Sequence, residues 1–141
     1  MVSIREAVFD DLDDIKVIFK FIFDQSIFAG MTYDESTIQR YFVMLSNYDL
    51  GYMKVVEDKG IIVGALAGTV TPNHFGIPCG VDMFNFSRKG TDLLIKDFVN
   101  WAKDHGAEFI QITDYTQKPR YEKLLARIGL VPVGTHYSIG R

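Results

Sequence analysis

The chain has 141 residues, 48% of them hydrophobic and 13% aromatic, with a net charge of −3 and three histidines. That size and apolar content predicts one globular domain, residues 1–141, with a core of its own. The acidic balance argues against a nucleic-acid partner, which calls for an excess of Lys and Arg on one face.

No apolar run approaches the roughly 18 residues of a membrane span, and the opening Met1-Val2-Ser3-Ile4-Arg5-Glu6 has no secretory h-region, so a cytoplasmic protein without a membrane partner is expected. A single Cys79 excludes an internal disulfide, and the histidines have no zinc-ligand spacing, so no metal is expected.

Residues 3–8 alternate polar and apolar side chains, the period of a half-buried strand. The cluster Asp10-Asp11-Leu12-Asp13-Asp14 then starts a helix: Asp10 or Asp11 can cap it, the other carboxylates suit its first turn, and Ile15, Ile18, Phe19 and Ile22 form an apolar stripe. A second helix is expected over 34–45, with Ile38, Tyr41, Phe42 and Leu45 on one side. Between them, residues 27–33 are rich in aromatic and small side chains, as in a packed connection or a loop closing over a pocket.

Residues 52–57 and 61–71 read as strands joined by the hairpin signal Asp58-Lys59-Gly60, pairing antiparallel. Gly64 and Gly68 mark either a β-bulge or a place where something approaches the strand surface. A turn around His74 leads to a strand over 79–86. Next come Arg88-Lys89-Gly90 and an amphipathic helix from Thr91, with Leu94, Phe98, Trp101 and Ala102 on one face and Gly106 as its left-handed cap. Unpaired N–H groups and a partial positive charge make such a helix start an anion seat, here suited to a phosphate and flanked by two cations. A strand over 109–113, a helix over 119–128 stopped by Gly129, and one or two strands within 131–139 complete the chain. Strand, short turn, helix and strand imply a right-handed parallel crossover. The fold class is therefore α/β, a mixed and mostly antiparallel sheet flanked by helices.

Three stretches resemble the GNAT superfamily of N-acetyltransferases. Ile4-Arg5-Glu6-Ala7 with Asp11, Leu12 and Ile15 looks like its first strand and helix start. Arg88-Lys89-Gly90 with Leu94, Trp101-Ala102 and Gly106-Ala107 looks like its pyrophosphate motif and following helix. Residues 121–130, with Tyr137 beyond them, look like its closing helix and turn. The resemblance covers essentially the whole chain. It implies a GNAT-like fold with splayed fourth and fifth strands, acetyl-CoA as cosubstrate, and a small-molecule or peptide amine as acceptor entering from the opposite side; a homodimer is compatible with it.

Carried over residue by residue, the resemblance implies cofactor contacts from Met83, Phe84, Phe86, Ser87, Arg88, Lys89, Gly90, Thr91, Asp92 and Tyr121. The pyrophosphate loop departs from the family pattern in either register, with Ser87 and Asp92, or Asn85 and Arg88, at the flanking positions. The family's usual tyrosine position holds Leu125. Asp82, on the strand that would carry the thioester, is the candidate base, directly or through water, and Tyr137 the candidate acid. Phe28, Tyr33 and Phe75, with turns near His74 and His136, suggest an apolar or aromatic acceptor lining. The alternative to an acetyltransferase is a catalytically degenerate module of this fold that acts by binding a protein partner or CoA.

Overall fold

The computed structural model describes residues 1–114, 118–134 and 137–139. In chain order the elements are β1 (Val2–Glu6), a 3-10 turn (Phe9–Asp11), α1 (Leu12–Gln25), α2 (Thr37–Ser46), β2 (Gly51–Asp58), β3 (Ile61–Pro72), β4 (Pro78–Ser87), α3 (Thr91–Asp104), β5 (Phe109–Gln111) and α4 (Pro119–Arg127). The sheet follows sequence order, β1-β2-β3-β4-β5. All neighbours are antiparallel except β4 and β5, which run parallel through the α3 crossover. Up to α4 the order of elements and the mixed, mostly antiparallel sheet are those expected from the sequence.

Alternation along the strands divides the core in two. Met53, Val55, Ala65, Ala67 and Phe84 face α1 and α2, where they meet Leu12, Ile15, Ile38 and Leu45. Tyr52, Val56 and Leu66 face α3 and α4, meeting Leu94, Ile95 and Phe98. Each fully buried Ile, Leu, Val or Phe among these contributes about 1.5–3 kcal/mol relative to exposure. Gly68 is required here: a Cβ on it would lie 2.6 Å from Phe98 Cε1 and 2.7 Å from the Val81 carbonyl oxygen. The space at Gly64 is likewise taken by the Ser87 side chain. What approaches these two glycines is the protein itself.

Local chemistry explains where element ends differ from expectation. The Asp11 carboxylate does not cap α1 forward. It turns back to accept the Val8 N–H at 2.8 Å and a two-pronged contact from Arg5 at 2.8 and 3.0 Å, closing the corner between β1 and α1. The Arg5 hydrogen bonds hold its acid strength above that of an ordinary aspartate. Helix α2 begins at Thr37 rather than 34, because the Asp34 carboxylate accepts from the Ser36 N–H and from Arg40. Lys59 and Gly60 both take positive φ, 53° and 79°, as a two-residue hairpin of primed type requires.

The closing strand expected within 131–139 does not form among the described residues there. Pro132 has no N–H for a ladder, and Val131, Val133, Tyr137 and Ile139 are all exposed. His136 lies outside the described residues. Among the described residues no helix is long and apolar enough to cross a membrane.

Candidate active site

Among the described residues, strands β4 and β5 pair only at Cys79↔Phe109, Gly80↔Ile110 and Val81↔Gln111. Just past that point β4 carries a bulge: Asp82 lies opposite Gly68 and Phe84 opposite Ala67, leaving Met83 without a partner on β3. The bulge turns β4 away from β5, and the edge of β4 from Asp82 to Ser87 loses its neighbour. A cavity of about 350 Å³ opens in the gap.

The cavity runs from the start of α3 to the start of α4. Ser87 and Thr91 mark one end, Thr113, Asp114 and Lys118 the other; Phe19, Phe21, Ile22, Phe23 and Phe28 form one wall, and β4 with Tyr121 the opposite one. A hydrogen bond from Lys118 Nζ to Gln25 Oε1, 3.2 Å, ties the end of α1 to the start of α4.

Asp82 is half-buried in this gap. Its Oδ1 accepts the Thr113 N–H at 3.0 Å and its Oδ2 accepts from Asn85 Nδ2 at 2.6 Å. Burial pushes its carboxyl up to about 6, against the two hydrogen bonds, which favour the charged form. Asn85 Oδ1 in turn accepts from the Tyr121 hydroxyl. Burial raises the Tyr121 hydroxyl, and the nearby charges of Asp82 and Asp114 add to the rise. One amide side chain thus holds a carboxylate and a phenol in fixed relation. Three residues apart on a regular strand, Asp82 and Asn85 would point to opposite faces; the bulge at Met83 puts them on the same one.

Of the residues singled out from sequence, Asp82, Met83, Phe84, Phe86, Ser87, Thr91 and Tyr121 line the cavity. Phe84 does so from the core, 5% exposed, with its ring 5.2 Å from that of Phe19. Four others are placed differently. The Arg88 N–H donates to the Val63 carbonyl at 3.0 Å, closing that amide to a ligand. Lys89 Nζ pairs with Asp58 at 2.7 Å, so its charge secures the β2–β3 hairpin. Gly90 adopts positive φ, 68°, with Val2 packed where a Cβ would project. Asp92 is exposed on the first turn of α3, outside the cavity lining.

Tyr137 is 92% exposed and does not line the cavity, and no strand forms among the described residues around it. In the acceptor lining, Phe28 is present, whereas Tyr33 packs behind the wall against Phe19 and Phe23, and His74 and Phe75 stack on each other at the far hairpin. Leu125 packs against the core on the α3 face.

The residues that sequence reading missed as a unit are Asn85, Thr113 and the phenylalanines of α1. Phe19, Phe21 and Phe23 were a signal in themselves, since one helix cannot turn all three rings into one core.

The mixed sheet with parting β4 and β5 is the fold of GNAT-type acetyltransferases, as the sequence resemblance anticipates. No family model matches the chain, and no curated protein matches it in sequence. Among solved structures, the fold superposes on AAC(6')-Iy in complex with the bisubstrate analogue CoA-S-monomethyl-acetylneamine, with a TM-score of 0.79 at 10% identity, covering 100% of this chain and 98% of that one. A transcriptional regulator from Bacillus halodurans C-125 matches with a TM-score of 0.77 at 19% identity, covering 100% of both chains. The ribosomal-protein-alanine N-acetyltransferase from Brucella melitensis biovar Abortus 2308 matches with a TM-score of 0.73 at 16% identity, covering 99% of both.

Proposed function

We propose that this chain is a single-domain acetyl-CoA-dependent N-acetyltransferase acting on a primary amine. The observation that carries the proposal is the gap opened past Val81 and Gln111, which joins the N-terminus of α3 to a half-buried carboxylate with a carboxyl near 6.

The residues at the α3 end fit a diphosphate. The first N–H groups of the helix, from Thr91 onward, have no intrahelical acceptor, and Ser87 and Thr91 line the cavity beside them. The Arg88 side chain is exposed next to this seat and has no ion-pair partner among the described residues. With Lys89 committed to Asp58, Arg88 is the cation of the pair that remains for a ligand. The unpaired edge of β4 leads from this seat to Asp82, about 16 Å of extended chain.

At that far end the neutral amine nitrogen attacks the acetyl carbonyl carbon and the carbon–sulfur bond breaks. Asp82 takes the proton the amine gives up; a carboxyl near 6 is ionised at neutral pH and still a better base than an ordinary aspartate. Tyr121 gives its proton to the departing sulfur, and the burial that raises its hydroxyl keeps it protonated until then. Asn85 is a positioning residue: its amide aims both groups and carries no proton between them.

A second reading, a binding module without catalysis, draws on the Arg88 amide and Lys89 being occupied by protein partners and on Leu125 at the usual tyrosine position. Thermal shift with acetyl-CoA, CoA and a nucleotide control, followed by thiol release with an amine, separates the two. Binding at about 100 times Kd adds about 2.7 kcal/mol of stability. Stabilisation by acetyl-CoA with thiol release is expected; stabilisation without turnover favours the module, and no stabilisation at millimolar acetyl-CoA removes the transferase.

A further inference from the structure

Resting on the acetyltransferase reading, we propose that the acceptor is a small primary amine with an apolar, preferably aromatic, body and no anionic group, selected by the C-terminal half of α1 and residue Phe28. The two walls of the cleft differ in chemistry. On the α1 side the rings come from Phe19, Phe21, Phe23 and Phe28. Phe19 and Ile22 pack on the sheet and Phe23 packs against Tyr33. Phe21, its ring 5.2 Å from that of Phe86, is 41% exposed beside the cavity, and Phe28, just past the end of the helix, is 39% exposed there. Two carboxylates also line the cavity, Asp82 on the β4 wall and Asp114 at the end marked by Thr113 and Lys118. Lys118 is the one cation among the described lining residues, and its Nζ is engaged by Gln25.

The ends of the cleft also differ. Ser87 and Thr91 mark the cofactor end, and the Gln25–Lys118 hydrogen bond places the end of α1 over the opposite one, beside Asp114. An acceptor entering there presents its ammonium group to carboxylates and its body to aromatic rings. A carboxylate- or phosphate-bearing amine would meet two carboxylates against the single Lys118 ammonium, and a polyhydroxylated amine would lose water hydrogen bonds along the ring wall, which returns none, keeping partners only at the Gln25, Ser26 and Thr113 end.

The test is thiol release at saturating acetyl-CoA with 2-phenylethylamine, hexylamine, ethanolamine, 4-aminobutyrate and glucosamine. The first two are expected to have kcat/KM about tenfold or more above the other three, the scale on which apolar pockets discriminate. Phe28→Ala should raise KM for 2-phenylethylamine severalfold while KM for acetyl-CoA stays within about twofold, and Phe28→Leu should restore most of the loss. Equal or better use of ethanolamine, 4-aminobutyrate or glucosamine overturns the acceptor assignment, as does acetyl-CoA binding with no acetylation of the two apolar amines. Absence of acetyl-CoA binding instead overturns the transferase reading beneath it.

Discussion

The two edges of β4 have opposite fates. Toward β3 the strand is paired from Gly64↔Ser87 to Pro72↔Pro78 at every residue but the bulged Met83, and even a Cβ at Gly68 has no room. Toward β5 it is paired only from Cys79 to Val81, and a carboxylate side chain takes the next amide, that of Thr113. A backbone edge left inside a protein must satisfy its polar groups with something other than a strand. On one edge the solution is packing that tolerates nothing foreign; on the other it is a half-satisfied polar cleft with space for a ligand. Stability therefore belongs to the β3 side and, under the proposed function, chemistry to the β5 side, and substitutions on the two sides should separate accordingly.

The largest effect is expected on the paired side. Phe98→Ala empties a fully buried ring site beneath Gly68 and should cost about 3–5 kcal/mol in urea unfolding; a loss below about 1 kcal/mol would mean that this side is not densely packed.

Across the strand, Asp82→Asn should lower kcat by about 10²-fold or more with little change in acetyl-CoA affinity. Wild-type kcat/KM should fall as pH drops through about 6, and the variant should lose that limb. Stability should move the other way. A carboxyl near 6 when folded, against 3.8 as its ordinary value, means that the native state binds the extra proton between those values. The wild type then loses stability as pH rises through that window. Asp82→Asn should accordingly raise the melting temperature at pH 8, with the difference shrinking toward pH 4. An unchanged melting temperature would show Asp82 to be well solvated.

Asn85→Ala comes next, removing one hydrogen bond that favours the charged Asp82 and the acceptor that aims Tyr121. About a tenfold loss of turnover at neutral pH is expected, with the acidic limb shifted above its wild-type position; a fixed limb would place Asn85 outside the site. The smallest effects belong to the loop. Arg88→Ala should weaken CoA binding severalfold without changing the melting temperature. Lys89→Ala should instead lower the melting temperature modestly by removing the partner of the buried Asp58 carboxylate, leaving affinity nearly unchanged.

The elements and their order were legible in the residues. Period-two strands, the stripe of α1, the Lys59-Gly60 hairpin and Gly106 as a cap depend on neighbours a few positions away, and their energetics are local. The start of α3 at Thr91 was legible for the same reason. Where the structure adds to that reading, the deciding partner lies far along the chain or outside any local pattern. Lys89 pairs with Asp58, 31 residues earlier, and no strand forms among the described residues of 131–139, where Pro132 lacks an N–H.

By itself, then, the sequence determined an α/β sheet with its helices in order and the start of α3 directly after β4, because propensity, capping and periodicity act over a single turn or pleat. Only the tertiary structure decided that Asp82, Asn85 and Tyr121 form one unit opposite an aromatic wall. That unit arises from a one-residue bulge that reverses the face of Asn85 and from a strand pairing that stops after Gln111, and neither leaves a mark in any local pattern.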